Sequence, residues 1–342
     1  MKKIIAMLLA LVMVFAMCAC GNSGDDKEGN DGQEAKYDTA NLTYSINGTS
    51  TSIEAQVANL FKEKIEAATD GAITVTIYTD AQLAGGDLSG SVEAAQTGAM
   101  DIYCADSSVI AALDPSIGTC AIPFSYGSYA EVEEVLDTTG GDYIANILKD
   151  YNLTFATYAH NGLQCLTCSK VQLDTPEAFK NVKIRISGTQ LNIDMYSALG
   201  ADPAALNWGE VYTALQNGTF DAQSNSPATI KSGNIFEVQK YLTVSRHTYG
   251  AFLISFYSPT FNSFNEATQE LLMSTIKEAA KEINTKTATE EDAILQEFAD
   301  GGMEVSYLDD EQVAAFQEAL ADVIAKYKAE YGAEACEAFK IP

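Results

Sequence analysis

Arg185 is the residue best suited to hold an anion. It lies in the alternating run Val182-Lys183-Ile184-Arg185-Ile186, which reads as a strand. A guanidinium is a rigid planar fork that grips a carboxylate through two parallel hydrogen bonds. In a chain with 47 acidic residues, a structural salt bridge is the competing reading. Trp208, the single tryptophan, opens a helical run to Gln216. Its ring can cover the apolar body of a ligand or simply fill a core. Asn225 ends a strand-like run that starts near Phe220. Its amide can donate to the same carboxylate or serve a turn. All three stand where a strand-like piece meets a helix-like piece. Open α/β sheets bind ligands outside the carboxyl ends of their strands.

Other chemistry has little support. His160 and His247 are the only histidines, and neither belongs to a cluster with metal-ligand spacing. Cys165-Leu166-Thr167-Cys168 has the spacing of a redox pair or metal knuckle, but its setting is a strand, where such residues face opposite ways. Small buried residues are the better reading. Glu54, Asp80, Asp87 and Asp101 read as solvated or capping acids. No Ser/His/Asp arrangement or phosphate-cradling glycine loop stands out, so neither catalysis, a metal nor a cofactor is expected.

The elements that position these residues alternate between strand and helix, which predicts an α/β fold. Strands are expected over 41–47, 72–78, 100–104, 153–160, 164–169 and 248–256. Helices are expected over 53–68, 92–97, 129–136 and 143–148, with a long one after Asn265 that stops at Gly301-Gly302. The apolar period of that last helix suits a helix lying along two lobes. A further strand at 303–307 and C-terminal helices from Glu311 follow. Polar turns at strand ends supply the hydroxyls of Thr49, Ser50, Thr51, Ser107 and Ser108.

The chain has 342 residues and a net charge of −27, so it should repel nucleic acid and anionic lipid. An anionic ligand then needs a local positive group, which sharpens the interest of Arg185. Lys2 and Lys3 precede an apolar run, Ile4 to Met17, too short for a comfortable membrane span. The sequence Met17-Cys18-Ala19-Cys20 that follows resembles a bacterial lipoprotein signal, with Cys20 as the lipidated residue. A plain secretory signal is the alternative. Residues 20–40 hold little to bury and read as a disordered tether.

Arg185 belongs to a longer ordered block: K-I-R, A-L-G-A, W-G-E-V-Y-T-A-L-Q-N-G, D-A-Q-S-N and F-E-V-Q-K-Y-L-T. From about Thr43 to the C-terminus the chain resembles the DctP-like substrate-binding proteins of tripartite ATP-independent periplasmic (TRAP) transporters. The resemblance implies a two-lobed, type II periplasmic-binding-protein fold, with crossing strands and a shared long helix. Lobe I would comprise 41–161 with about 251–288, and lobe II 162–250 with about 289–342. Arg185 would pair with a ligand carboxylate, with Asn225 in support and Trp208 on the ligand body. Gln164 stands where many members carry a second arginine. A glutamine donates a hydrogen bond but no charge, so a monocarboxylate is expected, with an apolar or aromatic tail. The implied role is capture of a small organic acid outside the cytoplasm by a lipid-anchored monomer. Integral-membrane TRAP permease subunits would receive the acid. A lipoprotein feeding an ABC-type importer is the alternative, and a secreted enzyme the reading from another class.

Overall fold

The computed structural model describes residues 36–342; the expected signal over 1–19, Cys20 and all but the end of the tether lie outside them. In chain order the first strands are β1 (Ala40–Ile46), β2 (Ile73–Tyr78), β3 (Ile102–Asp106), β4 (Leu153–Leu163) and β5 (Cys165–Cys168). They are followed by β6 (Lys183–Ile186), β7 (Asp202–Ala205), β8 (Ala222–Asn225), β9 (Tyr241–Val244), β10 (Tyr249–Tyr257) and β11 (Glu304–Tyr307). These strands form two sheets, β2-β1-β3-β10-β4 and β11-β9-β5-β8-β6-β7. Each sheet with its helices is one lobe. In the first, β1 runs parallel to β2 and β3, and β10 is antiparallel to both its neighbours.

The chain passes between the sheets at Gln164 and again between β9 and β10. The two crossings are tied where Gln164 N–H donates to Thr248 O at 2.9 Å. Thus β4–β5 and β9–β10 are continuous ribbons with one end in each lobe.

Both faces of both sheets are covered, so the inner strands read as continuous apolar runs. On β10, Ile254 packs under the helix Ile53–Ala68, while Leu253 faces Val132 and Leu148 on the other side. The helix Glu266–Asp300 serves both lobes. Leu272, Ile276 and Ile283 enter the first lobe's core, and Ile294, Leu295 and Phe298 enter the second's. Its 35 residues reach about 50 Å at the usual helical rise, enough for both tasks. Asn265 starts it by accepting from Thr268 N–H at 2.9 Å. The C-terminal helix Ala321–Ala338 lays Tyr327 on the second lobe, and Phe339 just beyond it enters a core of the first.

The helices at 53–68 and 129–136 fall where the sequence period puts them. The strand expected to stop at 160 runs on to Leu163 through Asn161-Gly162. Gly250 pairs with Gly162 and Ala251 with His160, so Asn161 is the extra residue of a β-bulge. Such a bulge re-aims one side chain out of the strand's alternation. Gly162 takes φ +111, and a Cβ there would stand 2.8 Å from Tyr129 Oη and 2.9 Å from Ser226 Cβ. The short helix expected from 92 begins at Leu88, because Asp87 accepts from Ser89 N–H and caps it. Cys165 and Cys168 pack in cores on opposite faces of β5, as small buried residues.

Candidate ligand-binding site

A cavity of about 120 Å³ lies between the lobes at the carboxyl ends of β3, β6 and β8. Arg185, Trp208, Asn225, Gln164, Ser107 and Ser108 all line it.

Arg185 is the penultimate residue of β6, with Gln223 of β8 and Ala204 of β7 beside it. It is 5 % exposed, and among the described residues it has no ion-pair partner. The structural salt bridge that the acidic composition suggested is therefore not what holds it. Its Nε and Nη2 both donate to Leu206 O, at 3.0 and 2.7 Å. Three of its five N–H hydrogens remain free for a ligand. Burial pushes its basicity down to about 10, and the nearby Asp106 pulls it up, so it stays charged at neutral pH. The guanidinium carbon lies 5.6 Å from the centroid of the Trp208 ring.

Asn225 is held by a relay through the second sheet. Its Nδ2 donates to Gln223 Oε1 at 2.6 Å, and Gln223 Nε2 donates to Thr167 Oγ1 at 3.0 Å. Thr167 Oγ1 passes the chain on to Gln239 Oε1 at 3.0 Å. One N–H of Asn225 is left over. Gln164 Nε2 donates to Gly162 O at 3.1 Å, which fixes the amide at the crossing between lobes. Behind this wall, His247 Nδ1 meets Ser245 Oγ at 2.7 Å and its Nε2 meets Tyr196 Oη at 3.0 Å. Burial pushes His247 down to about 4, so the ring is neutral.

The serines after β3 divide their work. Ser107 is buried against Cys120, whose thiol lies 3.7 Å from Ser107 Oγ. Ser108 reaches across the cleft, its Oγ 2.9 Å from Ser187 Oγ just beyond β6. Thr49, Ser50 and Thr51 do not line the cavity. Thr51 Oγ1 instead donates to Ser232 O at 3.3 Å, and Thr49 Oγ1 lies 3.1 Å from Thr51 Oγ1. The same turn offers Asn47, Gly48 and Ser52 to the cavity, because its fold points the intervening residues outward.

Four residues that the sequence did not mark as ligand-binding also line the first lobe's wall: Asn47, Glu54, Asp106 and Asn161. Reading Glu54 as a solvated or capping acid is wrong: it is 2 % exposed in the first turn of its helix. Its Oε1 accepts from Asn47 N–H at 3.3 Å. Burial, then the charge of Asp106, pushes its carboxyl up to about 8 against these hydrogen bonds. Asp87 does cap, as expected, whereas Asp101 ties β1 by accepting from Thr43 N–H and Oγ1, each at 2.8 Å. The bulged Asn161 donates from Nδ2 to Asp106 Oδ2 at 2.7 Å and accepts from Thr229 Oγ1 at 2.9 Å. Among the described residues no group of three or more His, Cys, Asp or Glu is placed to hold a metal ion.

The family model for "bacterial extracellular solute-binding protein, family 7", DctP, matches residues 44–330. The chain belongs to that family. The resemblance carried by the central block is thus borne out, and the DctP chain is a solute-binding protein of the extracytoplasmic side. It is 26% identical over 283 residues to the 2,3-diketo-L-gulonate-binding periplasmic protein YiaO of Escherichia coli K12, covering 83% of this chain and 85% of that one. It is 24% identical over 341 residues to the C4-dicarboxylate-binding protein DctB of Bacillus subtilis 168, covering 98% and 97%. A TRAP periplasmic solute-binding protein of Ralstonia eutropha H16, solved with (S)-2-acetolactate, superposes with a TM-score of 0.84 at 20% identity. That match covers 88% of this chain and 98% of the other, and it bears out the two-lobed α/β fold. These named relatives are binding proteins.

Proposed function

We propose that this DctP protein captures a small organic monocarboxylate and delivers it to the membrane subunits of a TRAP transporter, without catalysing any reaction. Arg185 carries the reading: a buried, charged guanidinium with three free hydrogens, and with no ion pair among the described residues, faces the cavity. Such a group is costly unless an anion meets it. Asn225 gives its remaining N–H to the same carboxylate, and Trp208 covers the ligand. Ser107 contributes its hydroxyl, and Ser108 closes the cleft against Ser187. Gln164 supplies a hydrogen bond but no second charge. Among the described residues Arg185 is the only cation lining the cavity, which supports one carboxylate rather than two.

The lobes of this reading are 41–161 with about 251–288, and 162–250 with about 289–342, with the residues near Phe339 reaching back onto the first. They close by bending at the two crossings. A lipid on Cys20 and a tether over 20–40 would hold a monomer at the outer face of the membrane, beside its permease.

Native mass spectrometry of the untagged mature domain, before and after mild unfolding, tests the reading. A released monocarboxylate supports it. A dicarboxylate removes the inference from Gln164, and a ligand without any carboxylate overturns the role of Arg185.

A further inference from the structure

The cavity is electrically two-ended. Arg185 forms the second lobe's end. The first lobe's end carries two carboxyls, Asp106 as the last residue of β3 and Glu54 in the helix Ile53–Ala68, and neither has an ion-pair partner among the described residues. Asp106 Oδ1 accepts from Ser108 N–H at 2.8 Å and Oδ2 from Asn161 Nδ2 at 2.7 Å. Glu54 Oε2 lies so close to Gly48 that a Cβ there would come within 2.0 Å of it. The absent side chain is what lets the carboxyl sit beside the turn. Beside them Asn47 lines the cavity at 8 % exposure, while its Oδ1 is shut off from solvent and has no hydrogen-bond partner among the described residues. Its Nδ2 is already directed at Ser91 Oγ and Tyr103 Oη, at 3.2 and 3.4 Å.

We infer that the ligand is a zwitterion, an amino acid whose carboxylate meets Arg185 and whose ammonium group is received by Asp106 and Glu54. The inference rests on the carboxylate reading of Arg185. An ammonium group has three hydrogens and no acceptor, and this wall offers the acceptor oxygens of two carboxyls. A hydroxyl supplies only one hydrogen and no charge. Two buried carboxyls side by side repel, and a cation between them offsets both charges. The signs agree, since an amino acid brings a negative charge to the Arg185 end and a positive one to the carboxyl end.

Glu54 gives this ligand a signature. It is faced by Tyr44 on β1 and by Tyr103, Cys104 and Asp106 on β3. Burial holds both tyrosines and the thiol neutral, so Asp106 is the charge that Glu54 feels. Without ligand, burial and Asp106 keep a proton on Glu54. An ammonium group beside it favours the carboxylate, so binding releases that proton.

The test is calorimetry on the mature protein at pH 7. The probes are the twenty standard amino acids, the ω-amino acids from glycine to 6-aminohexanoate, and the hydroxy acids of matching skeleton. At least one amino acid should bind tenfold or more tighter than its hydroxy counterpart. Asp106→Asn should abolish that preference. Titrations in buffers of different ionisation enthalpy should show proton release, which Glu54→Gln removes. Failure of every amino acid to bind, or hydroxy acids binding as tightly as their amino counterparts, overturns the inference. Arg185→Met separates it from the reading beneath it. If hydroxy acids bind only when Arg185 is present and amino acids do not bind, the zwitterion alone fails. If Arg185→Met leaves binding intact, the carboxylate reading fails first.

Discussion

The guanidinium of Arg185 lies over the Trp208 ring, 5.6 Å from its centroid, while Nε and Nη2 converge on Leu206 O. Leu206 stands two residues before Trp208, so one short segment, 206–208, both anchors the arginine and covers it. The fork is fixed before any ligand arrives, and little rotamer freedom remains to be lost on binding.

Replacing Arg185 by methionine should therefore separate binding from stability. Affinity for the acid recovered from the protein should fall by roughly 2–5 kcal/mol in calorimetry, as for loss of one partner of a buried charge pair. The ligand-free protein should melt higher, because a desolvated charge without a counter-ion has been removed. Unchanged affinity would take Arg185 out of the site.

Trp208 can be disturbed from behind. A Cβ on Gly233 would stand 2.7 Å from Trp208 Cζ2 and 3.1 Å from Cη2. Gly233→Ala should tilt the ring away from Arg185 and weaken binding by about 0.5–2 kcal/mol, the range of a cation–π contact. The effect should vanish in a Trp208→Ala background. An equal loss in both backgrounds would mean that Gly233 acts elsewhere.

Much of this was legible in the chain because it is local. Arg185, Trp208 and Asn225 each sit at a strand or helix end marked by its own run, and all three reach one cavity. The period of the helix Glu266–Asp300 likewise shows apolar positions at both ends. What was hidden depends on contacts far apart in sequence. Glu54 has the sequence context of an ordinary first-turn acid, and only packing against β1 and β3 buries it. Asn161 faces Asp106 because a bulge opposite Gly250 turns it, and an Asn-Gly pair reads equally well as a turn. The turn at 49–51 is local, but its conformation sends the Thr51 hydroxyl to Ser232 O and the Thr49 hydroxyl to Thr51, and none of the three residues lines the cavity.

The cross-cleft bond offers a third test. Ser108 Oγ and Ser187 Oγ are 2.9 Å apart and belong to different lobes. Ser187→Ala should weaken ligand binding by about 0.5–1.5 kcal/mol, the net worth of one hydrogen bond, mainly through faster release. Small-angle scattering should show a larger radius of gyration for the liganded variant than for the liganded parent. Identical release rates would show that the pair does not hold the closed form.

On the acid side, His247 sets a limit. Its folded value, about 4, lies below the ordinary 6.5 because burial disfavours the charged ring. The stability linked to it is present above pH 6.5 and is lost as pH falls through 4. Between those values His247 should steepen acid unfolding by about 1.4 kcal/mol per pH unit. His247→Gln should flatten urea-melt stability across that window, and an unchanged slope would assign the acid lability to other groups, the buried His160 or carboxylates.

Glu54 has the opposite sign. Its folded value, about 8, lies above the ordinary 4.5, first from burial and then from Asp106. A raised carboxyl contributes stability that is complete below pH 4.5 and is lost as pH rises through 8. The unliganded protein should therefore weaken toward alkaline pH, by up to about 1.4 kcal/mol per pH unit from this group. Glu54→Gln keeps the neutral shape and cannot ionise. It should be less sensitive to pH across the window and more stable than the parent at pH 9. Urea melts of both proteins at half-unit steps from pH 5 to 9 measure this. Parallel curves would mean that Glu54 is ionised throughout, with Asn47 N–H and the neighbouring donors outweighing its burial.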